Sequence, residues 1–398
     1  MNTKNFSLNL SNPVVAIVIL FAVAFAFGLY ATGSFRKGID TPKLQAFLQE
    51  PENADLLAIY TENPTTFDTA LLGDEASTFT SEWFELNIQR FFGTLVSGLF
   101  QGMLLFLVAS GLSLIFGLMD ILNFAQGAYF MVGAYVTWDI QNLDSGVAFF
   151  NQIGAAIPDP NIRFLVGLGI AVGLGAVLGF ILERGLLRPL YSRPLFQLVL
   201  TFGVSLIMLE VIKAIWGTNS NSWTSVMWLN SGTFTVFGQQ DTTYRLFVIA
   251  VGIAMIIAIA LLLRRTKLGI IVRAGVEDAE MVDALGINVR AIFTLIFTLG
   301  CAVAALGGAV ATPFLGVRFT MGTEFLLASI AAIVLGGLGS YEGTAIASIL
   351  VGFMWAFAQV LGARPDVNNA IWFSIMPMVL LTIVLLLRPS GIFGKDRG

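Results

Sequence analysis

The sequence contains no histidine and only one cysteine, Cys301, among its 398 residues. Without histidine the chain lacks the commonest metal ligand and general base, and a single cysteine excludes an intrachain disulfide. Charged residues amount to 12% of the chain, about half of the share found in soluble domains. No basic tract suggests nucleic-acid binding. The composition therefore argues against a soluble enzyme, and no metal site is expected.

The sequence consists largely of long apolar segments. Hydrophobic residues make up 57% of the sequence, and its mean hydropathy is +0.84. Apolar runs of about 20 residues, enough for a helix to cross a bilayer, recur along the chain and do not alternate as barrel strands do. We predict an all-α polytopic membrane protein of about ten helices, some of them broken, of which the short span 324–338 is one candidate. The predicted spans are 14–30, 91–117, 121–140, 162–187, 195–216, 244–264, 291–316, 324–338, 343–363 and 370–388.

A polar segment separates the first span from the others. Residues 1–34 are predicted to form an N-terminal membrane anchor, preferred to a cleaved signal peptide because no clear cleavage site follows the apolar run. Residues 35–90 form an acidic extracytoplasmic insertion, for which we favour a solvated loop over a small helical cap. Residues 91–388 form the main transmembrane domain, and residues 389–398 a cytoplasmic tail.

Lysine and arginine in short loops indicate the cytoplasmic side of the membrane. They cluster between residues 184 and 193, between 264 and 290, and after 388. Counting spans back from these loops places the insertion and the 217–243 loop outside the cytoplasm, with the N-terminus inside. Arg36 and Lys37 follow the N-terminal anchor and would lie outside the cytoplasm, where this rule disfavours basic residues.

The polar segment that follows Arg264 is the feature around which the chain is organised. A basic cluster ends one apolar run, and an amphipathic, charged helix is predicted from Val276 to Leu285. Gly286 ends that helix, because glycine readily adopts the backbone conformation of a helix C-terminus. A polar helix between two spans on the cytoplasmic side is suited to docking a cytoplasmic partner.

A polar interruption lies between the second and third predicted spans. Asp120, Asn123 and Gln126 are spaced by three, so on a helix they would share one face, and Gly127 follows them. Polar groups beside apolar spans are costly unless they face the bundle interior or water. We interpret these residues as part of a translocation path or its gate, with a satisfied turn at the membrane surface as the alternative.

Gly336, Gly337 and Gly339 form a second interruption, which is expected to break a helix. Broken helices in membrane proteins occur where backbone is buried in protein or lines a cavity. The glycines therefore either shape the translocation path or simply turn the chain.

Two stripes of small residues at helical spacing are interpreted as helix-packing surfaces, because small side chains let helix backbones approach each other in lipid. The stripes are Gly167, Ala171, Gly175 and Gly179, and Gly300, Ala304, Gly308 and Thr312.

The sequence carries no energy-coupling chemistry of its own. The glycine-rich segment lacks the G-x-x-x-x-G-K-[ST] spacing of a phosphate-binding loop, so we do not expect an enzyme. No carboxylate or lysine stands alone near the centre of a predicted span, where ion-coupled carriers often place one. A lone channel or ion-coupled carrier and a membrane-embedded enzyme are therefore the weaker hypotheses.

Three segments resemble the permeases of branched-chain amino acid ABC importers, and the likeness runs in order from about residue 91 to 388. The segments are GLSLIFGLMDILNFAQGAYFMVGAYV at 111–136, RAGVEDAEMVDALGINVRAIFTLIF at 273–297 and VLGGLGSYEGTAIASILVGF at 334–353. Importer permeases share a loose E-A-A-x-x-x-G pattern in their coupling helix. Here Glu280 and Gly286 hold its ends, but Met281 and Val282 replace the alanines. The 35–90 insertion is not part of the family pattern.

The resemblance implies a multi-pass permease of the bacterial inner membrane that imports branched-chain or related amino acids. The implied partners are two ATP-binding subunits, a second permease chain, identical or related, and an extracytoplasmic solute-binding protein. No cofactor is expected on this chain, since ATP and Mg would bind to the ATP-binding subunits. Permeases for urea or short-chain amides look similar and remain an alternative. The residues implied in docking are those of a coupling helix at about 276–286 and its approach: Arg273, Ala274, Glu277, Asp278, Glu280, Leu285 and Gly286.

Overall fold

The structure, a computed structural model, is an almost wholly helical bundle. It describes residues 13–32, 41–62, 69–143, 146–191, 193–236, 238–277, 279–363, 371–388 and 391–393. Seven helices within these residues are long and apolar enough to cross a membrane: α1 (Pro13–Ala31), α4 (Ala76–Met119), α7 (Pro160–Ile181, with short turns continuing it to Leu190), α8 (Pro194–Trp216), α10 (Thr243–Arg265), α13 (Val289–Leu315) and α15 (Tyr341–Gly362).

Shorter elements complete the described chain. Three more helices of the bundle are α5 (Gln126–Gln141), α14 (Met321–Gly336) and α16 (Ile371–Leu387). The prediction of an all-α polytopic membrane protein with about ten helices is confirmed, although α14 is short and continuous rather than broken. The remaining elements are α2 (Pro42–Leu48), α3 (Ala54–Glu62), α6 (Ala148–Ala155), α9 (Trp228–Ser231), α11 (Lys267–Glu277), α12 (Ala279–Ala284), two 3-10 helices at Pro51–Asn53 and Thr69–Glu75, and the antiparallel hairpin of β1 (Thr233–Val236) and β2 (Gln239–Thr242).

Burial divides the long helices into an inner and an outer group. Most of the apolar window of α4, α13 and α15 is buried, whereas less than a third of that of α1, α7, α8 and α10 is. Exposed apolar side chains such as Val14, Leu165 and Val199 lie on the outer helices. In a bilayer such side chains contact lipid tails, which are as apolar as they are. The inner helices therefore form the core, and the outer ones surround it.

Glycines at the contacts of the inner helices let their backbones approach closely. A Cβ atom on Gly352 of α15 would overlap the backbone of Gly102 on α4, and one on Gly308 of α13 would overlap the carbonyl of Phe130 on α5. On α7, a Cβ on Gly175 would lie 2.5 Å from the Cβ of Ala305 on α13. The interpretation of both small-residue stripes as packing surfaces is confirmed.

Opposite ends of the bundle carry different loops. At one end Gly117 of α4 lies against Gly339, and Arg264 pairs with Glu342. At the other end Gln89 of α4 packs against Gly238 in the β1–β2 turn. The insertion and the hairpin thus lie together, away from the basic loops, as the charge pattern predicts. Which end faces the cytoplasm stays a prediction.

Helix α1 runs between these two ends. Gly28 near its C-terminus packs against Phe357 near the C-terminus of α15, and the ring of Phe21 contacts that of Phe353. Because α15 starts at the basic end, α1 also starts there, which agrees with the predicted orientation of the anchor. Residues 1–12 and 33–40, which include Arg36 and Lys37, lie outside the described residues.

The described part of the insertion is a small helical cap, so the expectation of a solvated loop is wrong. Leu44, Leu48, Leu72 and Phe79 form a buried cluster under α2, α3 and the start of α4. The Thr41 side chain caps α2 by accepting a hydrogen bond from the Leu44 amide at 3.1 Å. The apolar residues that recur among the acidic ones explain the difference, because together they can bury a separate core.

Helix α4 carries the cap beyond the membrane. It begins at Ala76, well before the span predicted from residue 91, and contains 44 residues. At the α-helical rise it is about 66 Å long, roughly twice the thickness of the hydrocarbon core. Its N-terminal part therefore projects from the bilayer and supports the cap.

The packing of α7 predicts different effects for two of its glycines. Gly175→Ala places a methyl group against Ala305 and should destabilise the bundle by about 1–3 kcal/mol, the usual effect of overpacking. Gly173→Ala is the matched control, because nothing lies within 4 Å of its Cβ position. The apparent Tm in mild detergent should fall for the first variant only. Equal Tm values would contradict this packing.

The cap predicts a similar contrast within α4. Phe79 is 4% exposed and Phe84 is 60% exposed. Phe79→Ala should weaken the cap by about 3–5 kcal/mol, as expected for truncating a buried phenylalanine, and should speed proteolysis between residues 41 and 75. Phe84→Ala serves as the control and should leave the cleavage rate unchanged. Similar rates in both variants would argue for a loop without a core.

Candidate functional site

The first polar interruption is a turn rather than one helix. Helix α4 ends at Met119, and Asp120 adopts a left-handed conformation with φ of 55°. Residues 121–125 are not helical, and α5 begins at Gln126. The prediction that Asp120, Asn123 and Gln126 share a helix face is therefore wrong, because the left-handed residue stops α4. Asp120 is exposed at the basic end, whereas Asn123 and Gln126 are buried.

Asn123 and Gln126 join the turn after α4 to α5 and α13 through hydrogen bonds. The Asn123 side chain accepts from the amide of Ala125 at 3.1 Å and donates to Gln126 Oε1 at 3.2 Å. Gln126 Nε2 donates to the carbonyl of Gly300 on α13 at 2.9 Å. Both side chains are at most 1% exposed. They form a closed junction in this conformation, and a role in a gate stays a prediction.

Two neighbouring contacts tighten the same junction. A Cβ atom on Gly127 would overlap the carbonyl of Gly322, so this glycine lets α5 and α14 touch. The Phe124 amide donates to Thr201 Oγ1 on α8 at 3.2 Å. Sequence reasoning missed Thr201, for which a hydroxyl within the apolar run of α8 was the only available signal. The turn after α4 is therefore fixed to α8, α13 and α14.

The glycines at 336–339 turn the chain between α14 and α15. Gly337 and Gly339 have positive φ values of 101° and 80°, a region that glycine adopts without steric cost. Gly336 lies against Gly343, too close to leave room for a side chain on either. The expected helix break is confirmed, and a contribution to the translocation path stays a prediction.

The C-terminal segment closes over this turn. The Ile392 and Phe393 amides donate to the carbonyls of Leu335 and Gly336 at 2.8 and 3.0 Å, and Ile392 is 1% exposed. The predicted tail is thus partly a packed strap at residues 391–393, and the sequence carried no signal for it. Residues 394–398 lie outside the described chain.

The predicted coupling helix starts earlier than Val276, and its described residues up to Ala284 lie in α11 and α12 on either side of Asp278, which is outside the described residues. Thr266 is extended, and its hydroxyl accepts from the Gly269 amide at 3.2 Å, so α11 starts at Lys267. This threonine was an available signal for a helix start. Gly286 follows α12 with φ of 81°, which confirms the predicted break at this glycine.

The segment of α11 and α12 is attached to the bundle on one face. Val272 and Val282 are buried, whereas Leu285 is 70% exposed. Arg273 donates to the carbonyl of Leu263 at the end of α10, and Ala274 is half-buried. Glu277 and Glu280 lie within these helices, and Asp278 lies outside the described residues. The segment thus presents α12 and its exposed apolar end at the basic end of the bundle.

Two carboxylates are fully buried in the described part of the chain, and sequence reasoning selected neither. Asp139 lies in the last turn of α5, where its Oδ2 accepts from the Val147 amide at 2.7 Å. Glu183 lies at the end of α7, where it accepts a hydrogen bond from the Tyr191 hydroxyl. Both lie at helix ends rather than in the middle of a span. No group of three or more metal-ligating side chains occurs among the described residues.

Comparison with known proteins matches this bundle to a family. The family described as branched-chain amino acid transport system, permease component, matches residues 94–385. The chain belongs to this family. The match spans the bundle from α4 to α16 and leaves α1 and the cap outside it.

Individual relatives agree with this assignment. This permease is 28% identical over 321 residues to the high-affinity branched-chain amino acid transport system permease protein BraD of Pseudomonas aeruginosa, covering 77% of this chain and 97% of the relative. It is 27% identical over 322 residues to LivH of Escherichia coli K12, covering 79% and 98%. It is 27% identical over 302 residues to a probable LivH of Methanocaldococcus jannaschii, covering 74% and 89%. No solved structure matches the permease.

The buried junction predicts unequal effects for two glutamines. Gln126→Met removes two buried hydrogen bonds, the one to the Gly300 carbonyl and the one from the Asn123 side-chain amide, and should cost about 1–3 kcal/mol of stability. Gln359→Met, at an exposed glutamine that accepts from Gln101 Nε2 at 3.3 Å, is the control and should change stability by less than about 0.5 kcal/mol. Apparent Tm values measure both. A neutral Gln126→Met would show that the junction is not a structural tie.

Proposed function

We propose that this permease is the membrane-spanning subunit of an ATP-driven importer for branched-chain or related amino acids. The observation that carries this proposal is the family match over residues 94–385, which covers the bundle and the coupling segment together. A membrane protein of this family is expected in the inner membrane of a bacterial cell. The chain itself would act as a transport path rather than as an enzyme.

The energy for transport is proposed to come from two separate ATP-binding subunits. They would hold ATP and Mg, since the sequence has no phosphate-binding loop. The segment of α11 and α12 is suited to receive them because Val272 and Val282 attach it to the bundle while Leu285 points outward. Closure and opening of the ATP-binding pair would then bias the bundle between conformations.

The geometry after α12 supports this route of coupling. Gly286 ends α12 with a positive φ, and α13 begins three residues later at Val289, where the Asn288 side chain caps it by accepting from the Ala291 amide at 3.0 Å. A push on α12 would therefore reach the N-terminus of α13 through a very short connection. Helix α13 is in the core, so its movement would affect α4, α5 and α7 together.

The remaining partners are a second permease chain and an extracytoplasmic solute-binding protein. One chain supplies about half of a transport path, so either an identical or a related chain would complete it. The relatives are named for branched-chain amino acids, which favours these solutes over urea or short-chain amides. Specificity in such systems is expected to come largely from the binding protein.

Purification from the native membrane tests the assembly and the solute. Two ATP-binding subunits and a second permease should co-purify in mild detergent, and the reconstituted complex should take up leucine or valine only with ATP and the binding protein. Uptake of urea with the same requirements would identify the alternative solute. Solute transport by the chain alone without ATP would overturn the proposal in favour of a carrier or channel.

The exposed end of the coupling segment gives a specific prediction. Leu285→Asp puts a charge where an apolar docking contact is proposed, and should reduce co-purification of the ATP-binding subunits and solute-stimulated ATP hydrolysis about tenfold or more, as for loss of an interface anchor. Leu71→Asp, the same change at an exposed position of the cap, should alter neither. Normal association and stimulation in Leu285→Asp would contradict docking at this position.

A further inference from the structure

The end of α7 contains a feature that packing alone does not require. Residues Leu182–Leu187 form a π-helical turn, a rare conformation that is frequent at functional sites. Glu183 within it is 0% exposed, and its Oε1 accepts a hydrogen bond from the Tyr191 hydroxyl. Its Oε2 is buried without a hydrogen-bond partner. A buried carboxylate that is only partly satisfied lowers stability, so a reason other than stability is needed for its position.

Tyr191 connects this turn to the start of α13. Its ring packs edge-on against that of Phe293, with centroids 5.8 Å apart. Phe293 lies in the second turn of α13, shortly after the coupling segment ends at Gly286. One tyrosine thus contacts both the end of α7 and the helix that the coupling segment would move.

The hydroxyl of Tyr191 remains a donor under ordinary conditions. Burial raises the pKa of this phenol well above its usual value, and the hydrogen bond to Glu183 raises it further. The proton therefore stays on Tyr191, and Glu183 Oε1 accepts a hydrogen bond from the tyrosine hydroxyl.

The same loop is tied to α8 and through it to the buried junction. Gln197 Nε2 donates to the carbonyl of Leu190 at 2.6 Å, and one turn further along α8 Thr201 accepts from the Phe124 amide at 3.2 Å. Phe124 lies between Asn123 and Gln126. A displacement of the segment that contains Leu190 would therefore act on the turn that follows α4.

We propose that the hydrogen bond from Tyr191 to Glu183 is a latch that transmits movement of the coupling segment from α13 to α7 and α8. This inference rests on the proposed function. The π-helical turn is the two-state element, because a change to α-helical register would rotate Glu183 and release Tyr191. Both are positioning residues that act through α13 and contact neither solute nor nucleotide. While this bond is formed, α7 and α8 move together with α13; without it, α13 would move relative to them.

The test is the number of solute molecules imported per ATP hydrolysed by the complete reconstituted complex. Tyr191→Phe removes only the hydroxyl and should lower this ratio about fivefold, the factor that corresponds to losing a typical hydrogen bond, while ATP hydrolysis without solute continues. Glu183→Gln keeps an acceptor oxygen and should lower the ratio less. Tyr244→Phe is the matched control. The buried Tyr244 hydroxyl also donates a hydrogen bond to α13, to the Val310 carbonyl at 2.7 Å, but this contact lies near the C-terminus of α13, far from the end that the segment of α11 and α12 precedes. Its ratio should not change.

A double variant separates a latch from general weakening. If the two groups act as one bond, Tyr191→Phe combined with Glu183→Gln should be no worse than Tyr191→Phe alone. Additive losses, an unchanged ratio in Tyr191→Phe, or an equal loss in Tyr244→Phe would each overturn the latch. Failure of the wild-type complex to couple transport to ATP would instead overturn the proposed function, so the two failures are distinguishable.

Discussion

Close backbone contact between the inner helices is the constraint on which the rest of this structure depends. Inside a bilayer, apolar side chains gain little by leaving lipid for protein, so helix association relies on packing at short range. Gly102 with Gly352, Gly111 with Gly300, and Gly308 with Phe130 provide that packing between α4, α5, α13 and α15. Each contact fixes the position of one helix along the axis of its neighbour. The outer helices can then remain exposed to lipid on most of their surface.

This close packing also explains how polar groups survive within the bundle. Gln126 can reach the carbonyl of Gly300 because Gly111 and Gly300 bring α4 and α13 together at that level. Buried polar groups need such partners, since each unpaired one would be costly in a medium without water. Helix α13 is therefore central in two senses. It carries the packing stripe for α4, α5 and α7, and it begins directly after the segment of α11 and α12.

The cap shows a different physical principle in the same chain. It lies outside the family match and is stabilised by burial of Leu44, Leu48, Leu72 and Phe79, as a small soluble domain would be. Helix α4 belongs to both the cap and the membrane bundle. Its N-terminal part contributes Phe79 to the buried cluster of the cap, and its C-terminal part packs against neighbouring helices through glycine contacts.

The sequence by itself determined the class, the helix count and the helix breaks. Hydropathy and length are local properties, so the ten described helices of the bundle, the packing stripes and the breaks at Gly286 and Gly337 could be read directly. The three family segments added the permease assignment, which the comparison confirmed. Acidic composition misled the interpretation of the 35–90 insertion, because a cluster of apolar residues distant in sequence, such as Leu44 and Phe79, is invisible to a local pattern.

Only the tertiary structure decided which polar groups meet. The spacing of Asp120, Asn123 and Gln126 suggested one helix face. However, the left-handed backbone of Asp120 ends α4, so Asp120 is exposed while the other two side chains are buried. The strap at residues 391–393, the tie between Thr201 and Phe124, and the bond between Tyr191 and Glu183 each join segments that no periodicity relates. Their partners are set by how helices cross in space. Crossing depends on glycine contacts made by several helices at once, which is why no single stretch of sequence could reveal it.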